Sequence, residues 1–111
     1  MDHLVSEQAV AELLQANEAV LLLFGGRQCG VCQAIKPQLE QLAAKEFPEL
    51  AMGYIDCQDV AGTPLCAARG IFSLPVVQLW FQGQRFLEFA RVFSIGDIRE
   101  ALARPYAALK S

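Results

Sequence analysis

Cys29 and Cys32 are separated by only two residues in the segment FGGRQCGVCQAIKP. Thiols at this spacing can bind zinc, form a structural disulfide, or act as a redox couple that passes between dithiol and disulfide. The chain has four cysteines in all, and the other two are Cys57 and Cys66. The elements that position the first pair decide among these three chemistries.

The pair lies between a predicted strand and a predicted helix. Ala19 to Phe24 is apolar at every position, which is typical of a central strand covered on both faces. An apolar stripe at helical spacing predicts a second helix that begins at or near the cysteines and runs to about Phe47, with a kink at Pro37. Cys29 is then expected at the end of the loop and Cys32 in the first helical turn.

The flanking segments complete a strand–helix–strand unit. A first helix is predicted between Ser6, its N-cap, and Asn17, its terminator. Leu50 to Asp56 is predicted to be the next strand, and the helical crossover before it implies parallel pairing with the Ala19 strand.

The second half of the chain predicts a short helix, a hairpin and a last helix. Thr63 as N-cap, Pro64 and a terminal Gly70 mark the short helix. The hairpin is predicted to have strands at 76–81 and 85–90 with a turn centred on Gly83. The last helix is predicted to open with Ser94 as its N-cap and Asp97 three residues later, to run to about Ala103 and to stop at Pro105. We therefore expect one α/β domain over residues 1–111, a sandwich with a mixed central sheet and helices on both faces.

Composition excludes several classes of function. The chain is 54% hydrophobic and has a formal net charge of −3, which describes a globular protein without the basic surface that nucleic-acid binding needs. The longest apolar run is too short to span a membrane, and the N-terminus lacks the features of a secretory signal, so the sequence predicts a cytoplasmic protein without membrane contact.

A helix N-terminus activates a cysteine placed there. Its partial positive charge and free N–H groups stabilise a thiolate, and in such positions the thiol pKa falls from about 8.5 to between roughly 3.5 and 7.5. Cys29 is therefore predicted to be the nucleophile. Cys32, one turn into the helix, is close enough to attack the sulfur of Cys29 and is predicted to be the resolving thiol.

These motifs resemble those of the thioredoxin family over roughly Ala19 to Ala103. The resemblance rests on Cys-Gly-x-Cys after a buried strand, on Pro37 five residues after Cys32, and on Pro75 in SLPVV before a hairpin. It implies a thioredoxin-like three-layer sandwich and a thiol–disulfide oxidoreductase of the protein-disulfide reductase type. It also implies a monomer with no cofactor beyond the dithiol, protein disulfides as substrates, and an NADPH-dependent thioredoxin reductase as electron donor.

The resemblance also implies a substrate-docking face around the dithiol. Pro75 would be a cis-proline facing the cysteines, and Leu74 would offer its backbone to an extended substrate segment. The full docking set is Gly26, Arg27, Gln28, Gly30, Val31, Phe72, Leu74 and Pro75.

The chain departs from the family where charges are usual. Leu23 and Met52 occupy the positions of the usual buried aspartate and its lysine. The loss of both charges supports an alternative function, a thioredoxin-fold docking or chaperone-like module with little redox turnover. A glutaredoxin-like use of glutathione is a minor alternative, because its usual Cys-Pro-Tyr-Cys is absent.

Cys57 and Cys66 allow several interpretations. The favoured one is that they are unpaired apolar core fillers, and a second one, from the resemblance of DCQDVAGTPLC to animal thioredoxins, is regulatory oxidation. A four-cysteine zinc site is disfavoured because the gap between these two does not fit a zinc knuckle, so no metal is expected. His3, the only histidine, is expected on the surface, far from Cys29.

Overall fold

The apolar run that begins at Ala19 forms the central strand of a mixed five-stranded sheet. In the computed structural model, which describes residues 1–110, every residue of this strand is buried. The elements are β1 Asp2–His3, α1 Glu7–Ala16, β2 Ala19–Gly25, α2 Gly30–Glu46, β3 Ala51–Asp56, α3 Gly62–Ala68, β4 Val76–Phe81, β5 Gln84–Ala90 and α4 Ile95–Lys110.

The strand order in the sheet is β1-β3-β2-β4-β5. β3 pairs in parallel with both β1 and β2, whereas β4 pairs antiparallel with β2 and β5. Gly25 at the end of β2 is in register with Asp56 at the end of β3, and Phe24 is in register with Val76 at the start of β4. One edge of the sheet therefore gathers the end of β2, the end of β3 and the segment before β4.

Helices cover both faces of the sheet because successive strand residues point to opposite sides. The core on one face contains residues of α2 and α4, and the core on the other face contains residues of α1 and α3. The predicted α/β sandwich with a mixed sheet is confirmed. None of the helices in residues 1–110 is long and apolar enough to cross a membrane.

The side-chain caps predicted for the starts of α1 and α4 are present. The hydroxyl of Ser6 accepts a hydrogen bond from the Ala9 amide at 3.1 Å. Ser94 and Asp97 form a reciprocal capping box, in which each side chain accepts the other's backbone N–H at 3.0 Å and 2.9 Å. The hairpin turn also forms as expected, with positive φ at Gln82 and Gly83.

The predictions for two helix ends are wrong. α4 does not stop at Pro105 but runs on to Lys110, because Tyr106 packs in the core and its hydroxyl accepts a hydrogen bond from the Glu49 amide at 3.1 Å. α3 begins at Gly62, two residues before the start expected from Thr63 as N-cap, because the Asp59 carboxylate accepts the Gly62 amide at 2.6 Å and so satisfies the first free N–H group.

Strand β1 is absent from the sequence prediction. It has only two residues, both exposed and polar, so no alternation of apolar residues marks it. Its pairing with β3 places His3 beside Tyr54.

Candidate active site

Cys29 and Cys32 form a disulfide at the start of α2, with their Cα atoms 5.2 Å apart. Cys29 is the N-cap of the helix, and its sulfur accepts a hydrogen bond from the Cys32 amide at 3.2 Å. Cys32 is completely buried, whereas Cys29 is partly exposed. Of the two cysteines, only Cys29 is therefore open to solvent.

Side chains from β3 and α2 hold the loop between β2 and α2. The Gln58 side-chain oxygen, just beyond the end of β3, accepts the backbone N–H of Gln28 at 2.7 Å, and the Gln33 side chain donates to the carbonyl of Gly26 at 3.0 Å. Arg27 donates to the Asp56 carboxylate at 3.3 Å, although 67% of its side chain remains exposed to solvent. The loop that presents Cys29 is thus fixed at three successive residues.

The segment before β4 reaches the same edge of the sheet. Pro75 immediately precedes Val76, the register partner of Phe24, and the Leu74–Pro75 peptide bond is cis. Pro75 is buried and Leu74 half-buried. The structure therefore brings the residues expected from the start of β4 next to the end of the strand that leads to Cys29.

Two apolar side chains of the expected docking set are open to solvent. Val31, between the cysteines, is 60% exposed, and Phe72 is 83% exposed. Gly30 is also exposed, whereas Gly26, at the start of the loop, is buried. Large exposed apolar side chains at a site are typical of surfaces that contact other proteins.

Comparison with known proteins identifies the family of the chain. The thioredoxin family model matches residues 2–104. The chain belongs to the thioredoxin family. It is 33% identical over 106 residues to the thioredoxin-like protein YdfQ of Bacillus subtilis, covering 96% of this chain and 92% of that protein.

Further thioredoxin relatives agree in sequence and in structure. The chain is 28% identical over 100 residues to the chloroplastic thioredoxin-like 3-2 of Arabidopsis thaliana, and the match takes in 86% of this chain and only 52% of that protein's length. A mutant thioredoxin of Halobacterium salinarum superimposes with a TM-score of 0.83 at 21% identity, covering 95% of this chain and 89% of that one. At that identity the superposition establishes the thioredoxin fold alone.

Within this thioredoxin fold, the site lacks a carboxylate on β2. Leu23 is completely buried, in register with Tyr54 on β3. Met52 is in register with Leu21 and packs against the same core, so it lies two residue pairs along the sheet from Leu23 rather than directly beside it. Both positions are therefore apolar and belong to the core between β2, β3 and the helices of that face.

The sequence interpretation of Cys57 and Cys66 as unpaired is wrong, because they form a second disulfide with a Cα separation of 5.6 Å. Cys66 is buried in the core between α3 and the sheet, as expected for a small apolar residue. The turn between β3 and α3 brings Cys57 to it, and this turn also carries Gln58. Within residues 1–110 no group of three or more histidine, cysteine, aspartate or glutamate side chains is arranged to hold a metal ion.

We expect the variant Cys57→Ala/Cys66→Ala to lose roughly 2–3 kcal/mol of unfolding free energy, because the disulfide closes a short loop and restricts the unfolded chain. Urea denaturation monitored by circular dichroism measures the loss. In excess dithiothreitol most of the difference from the native protein should disappear, since neither unfolded chain is then cross-linked. A difference that persists in the reductant would assign the effect to packing of Cys66 instead.

Sequence reasoning missed the residues of β3 that face the site. Asp56, Gln58 and Tyr54 all lie at or beside the end of this strand, and the rule that carboxyl ends of parallel strands form sites was the one available indication. His3 is also closer than predicted: β1 places it in one cavity of about 390 Å³ with Arg27, Gln33, Lys36, Tyr54 and Asp56. It is exposed, as expected, but it adjoins the loop that carries Cys29.

Proposed function

We propose that the protein is a thiol–disulfide oxidoreductase that reduces or exchanges protein disulfides through Cys29 and Cys32. The observation that carries the proposal is the asymmetry of the pair, with a partly exposed Cys29 at the helix N-cap and a fully buried Cys32 behind it. The free N–H groups of the first turn stabilise negative charge on Cys29, which makes it the attacking thiolate.

The reaction needs no bound cofactor. The Cys29 thiolate attacks one sulfur of a substrate disulfide, the substrate's other sulfur leaves as a thiolate, and a mixed disulfide remains. Cys32 then attacks the Cys29 sulfur, which releases the second substrate thiol and forms the Cys29–Cys32 disulfide. One electron pair has moved to the substrate, and a thioredoxin reductase that uses NADPH would restore the dithiol in the cytoplasm.

The docking face would surround Cys29. The exposed side chains of Val31 and Phe72 offer apolar contact, and the backbone of Leu74 before the cis-proline would pair with an extended segment of the substrate. Gly26, Gly30 and the loop residues Arg27 and Gln28 complete the face, which fits a protein partner better than a small charged metabolite. The protein would act as a monomer, with this face free.

Replacing Cys32 by serine should trap protein substrates. Without the resolving thiol, the mixed disulfide on Cys29 persists, and partners should appear on a non-reducing gel as adducts that dithiothreitol releases. The matched variant Cys29→Ser should trap few or none, because its remaining thiol is buried. Trapping by Cys29→Ser and not by Cys32→Ser would reverse the roles of the two thiols.

The alternative function, a docking module with little turnover, predicts a different result in an insulin-reduction assay. Its native form would bind partners but would not reduce insulin with dithiothreitol as donor above the rate of dithiothreitol alone. We expect the native protein to accelerate this reaction and Cys29→Ser to abolish the acceleration.

A further inference from the structure

Because Cys32 is buried, its thiolate needs a neighbouring group that stabilises the negative charge. The thiol is completely shielded from solvent, and it has to become a thiolate to attack the mixed disulfide. Burial disfavours the charged form unless a hydrogen-bond donor or an opposite charge accompanies it. Leu23, on the central strand behind the cysteines, offers neither.

Tyr54 reaches the same space from β3. A methyl group built on Gly25 would lie 3.0 Å from Cβ of Cys32 and 3.3 Å from the hydroxyl oxygen of Tyr54. The hydroxyl and the cysteine therefore face each other across the volume of one missing side chain. Any larger residue at position 25 would fill that gap and separate them.

The tyrosine also lines the polar cavity of about 390 Å³. Its charged or titratable neighbours there are His3, Arg27, Lys36 and Asp56, and Asp59 lies close enough to act on it electrostatically. The Lys36 ammonium lies 4.8 Å from the ring centroid. Tyr54 therefore lies between the space beside Cys32 and a polar cavity that is open to solvent.

We propose that the Tyr54 hydroxyl donates a hydrogen bond to the Cys32 thiolate, directly or through one water, and so promotes resolution of the mixed disulfide. This role rests on the proposed function. In the step, Cys32 gives its proton to water and its sulfur bonds to the sulfur of Cys29. The bond from Cys29 to the substrate breaks, and the substrate sulfur leaves as a thiolate that takes up a proton from water. Tyr54 keeps its own proton and acts through Cys32, as a positioning residue.

The ionisation state of Tyr54 agrees with a donor role. Burial, followed by the negative charge of Asp56, raises the pKa of Tyr54 above its ordinary value of 10.0, while a hydrogen bond from Gln33 acts in the opposite direction. The hydroxyl therefore remains protonated throughout the pH range in which a thiol titrates.

The test is stopped-flow reaction with the aromatic disulfide DTNB, in which every reduced protein compared, the native one included, carries Cys57→Ala/Cys66→Ala so that Cys29 and Cys32 are its only thiols. Attack by Cys29 releases one chromophore and resolution by Cys32 releases a second. In Tyr54→Phe we expect the second phase to slow about tenfold at pH 7 and its pH profile to move upward by about one unit, the effect of losing a hydrogen bond to a charged group. The first phase should stay unchanged.

Tyr106→Phe is the matched control, because Tyr106 is 8% exposed against 7% for Tyr54 and belongs to the same core, but its hydroxyl bonds to Glu49. Both phases should match the native protein. A second phase in folded Tyr54→Phe that superimposes on the native pH profile would overturn the role of Tyr54. Absence of two phases in the native protein would instead contradict the proposed function.

A second measurement avoids any loss of folding. Tyr54 and Tyr106 are the only tyrosines, so fluorotyrosine incorporated into Tyr106→Phe labels position 54 alone. Fluorine makes the hydroxyl a stronger donor with little change in size, and the second-phase profile should move to lower pH. If that profile does not move, the hydroxyl does not contact the thiolate and the proposal is wrong.

Discussion

The substitution Leu23→Asp is expected to lower the free energy of unfolding by about 3–5 kcal/mol at pH 7, the sum of a lost leucine burial and an unpaired buried carboxyl. Leu23 is completely buried between Tyr54 and Val77 on the neighbouring strands, so no water reaches the new group. Chemical denaturation of the oxidised protein would measure the loss.

The pH dependence identifies the cause. Burial raises the pKa of the introduced carboxyl in the folded protein above its unfolded value of about 3.9, so the penalty is smallest below that value and grows as pH rises toward the folded pKa. Leu23→Asn is the matched control, because its neutral amide adds a penalty that is independent of pH. Parallel profiles for the two variants would show that the carboxyl is not desolvated.

Adding Met52→Lys to Leu23→Asp should recover roughly 1 kcal/mol of this loss and accelerate the second DTNB phase. Met52 is half-buried on the same face, two residue pairs from Leu23, so a lysine there would reach toward the carboxylate with its long side chain. An unchanged resolution rate in a folded double variant would show that a carboxylate at position 23 is not what limits the native dithiol.

The second large effect is expected from Gly62→Ala, which should lower the free energy of unfolding by about 3 kcal/mol or more. A methyl group on Gly62 would overlap the backbone carbonyl oxygen of Asp56, and a carbonyl cannot move aside as a flexible side chain can. The turn between β3 and α3 would have to shift, and with it Gln58, which holds Gln28 beside Cys29. Slower insulin reduction should accompany the loss of stability.

Gly96→Ala is the matched control for Gly62→Ala. Gly96 lies at the start of another helix, and the nearest atom to an added methyl group is the Ser94 hydroxyl oxygen at 3.6 Å, an ordinary contact. Thermal and urea unfolding should leave this variant within roughly 1 kcal/mol of the native protein. Equal losses in the two variants would contradict the explanation by overlap with Asp56.

The sequence predicts most of the elements because their apolar patterns are strong. A run without polar residues marks β2, helical stripes mark α1 and α2, and strand formers around Gly83 mark the hairpin. The failures lie where local rules compete with packing. Pro105 is a helix stop by local rules, but burial of Tyr106 extends the helix beyond it.

The candidate site is predictable only in the part that is local in sequence. Cys29, Cys32 and their place at a helix start follow from one short segment. The contacts of Gln28 with Gln58 and of Arg27 with Asp56 depend on the register of β2 and β3, which spacing does not reveal. The pairing of Cys57 with Cys66 likewise depends on how tightly the chain turns between them.

The second disulfide also changes how the protein must be quantified. With no free cysteine among the described residues, full reduction consumes two electron pairs, one for each disulfide. Only the pair delivered to Cys29 and Cys32 would be available for turnover. An assay that counts total thiols in a reduced sample would therefore overstate the catalytic equivalents twofold, and stoichiometry should be normalised to the thiols that remain in Cys57→Ala/Cys66→Ala.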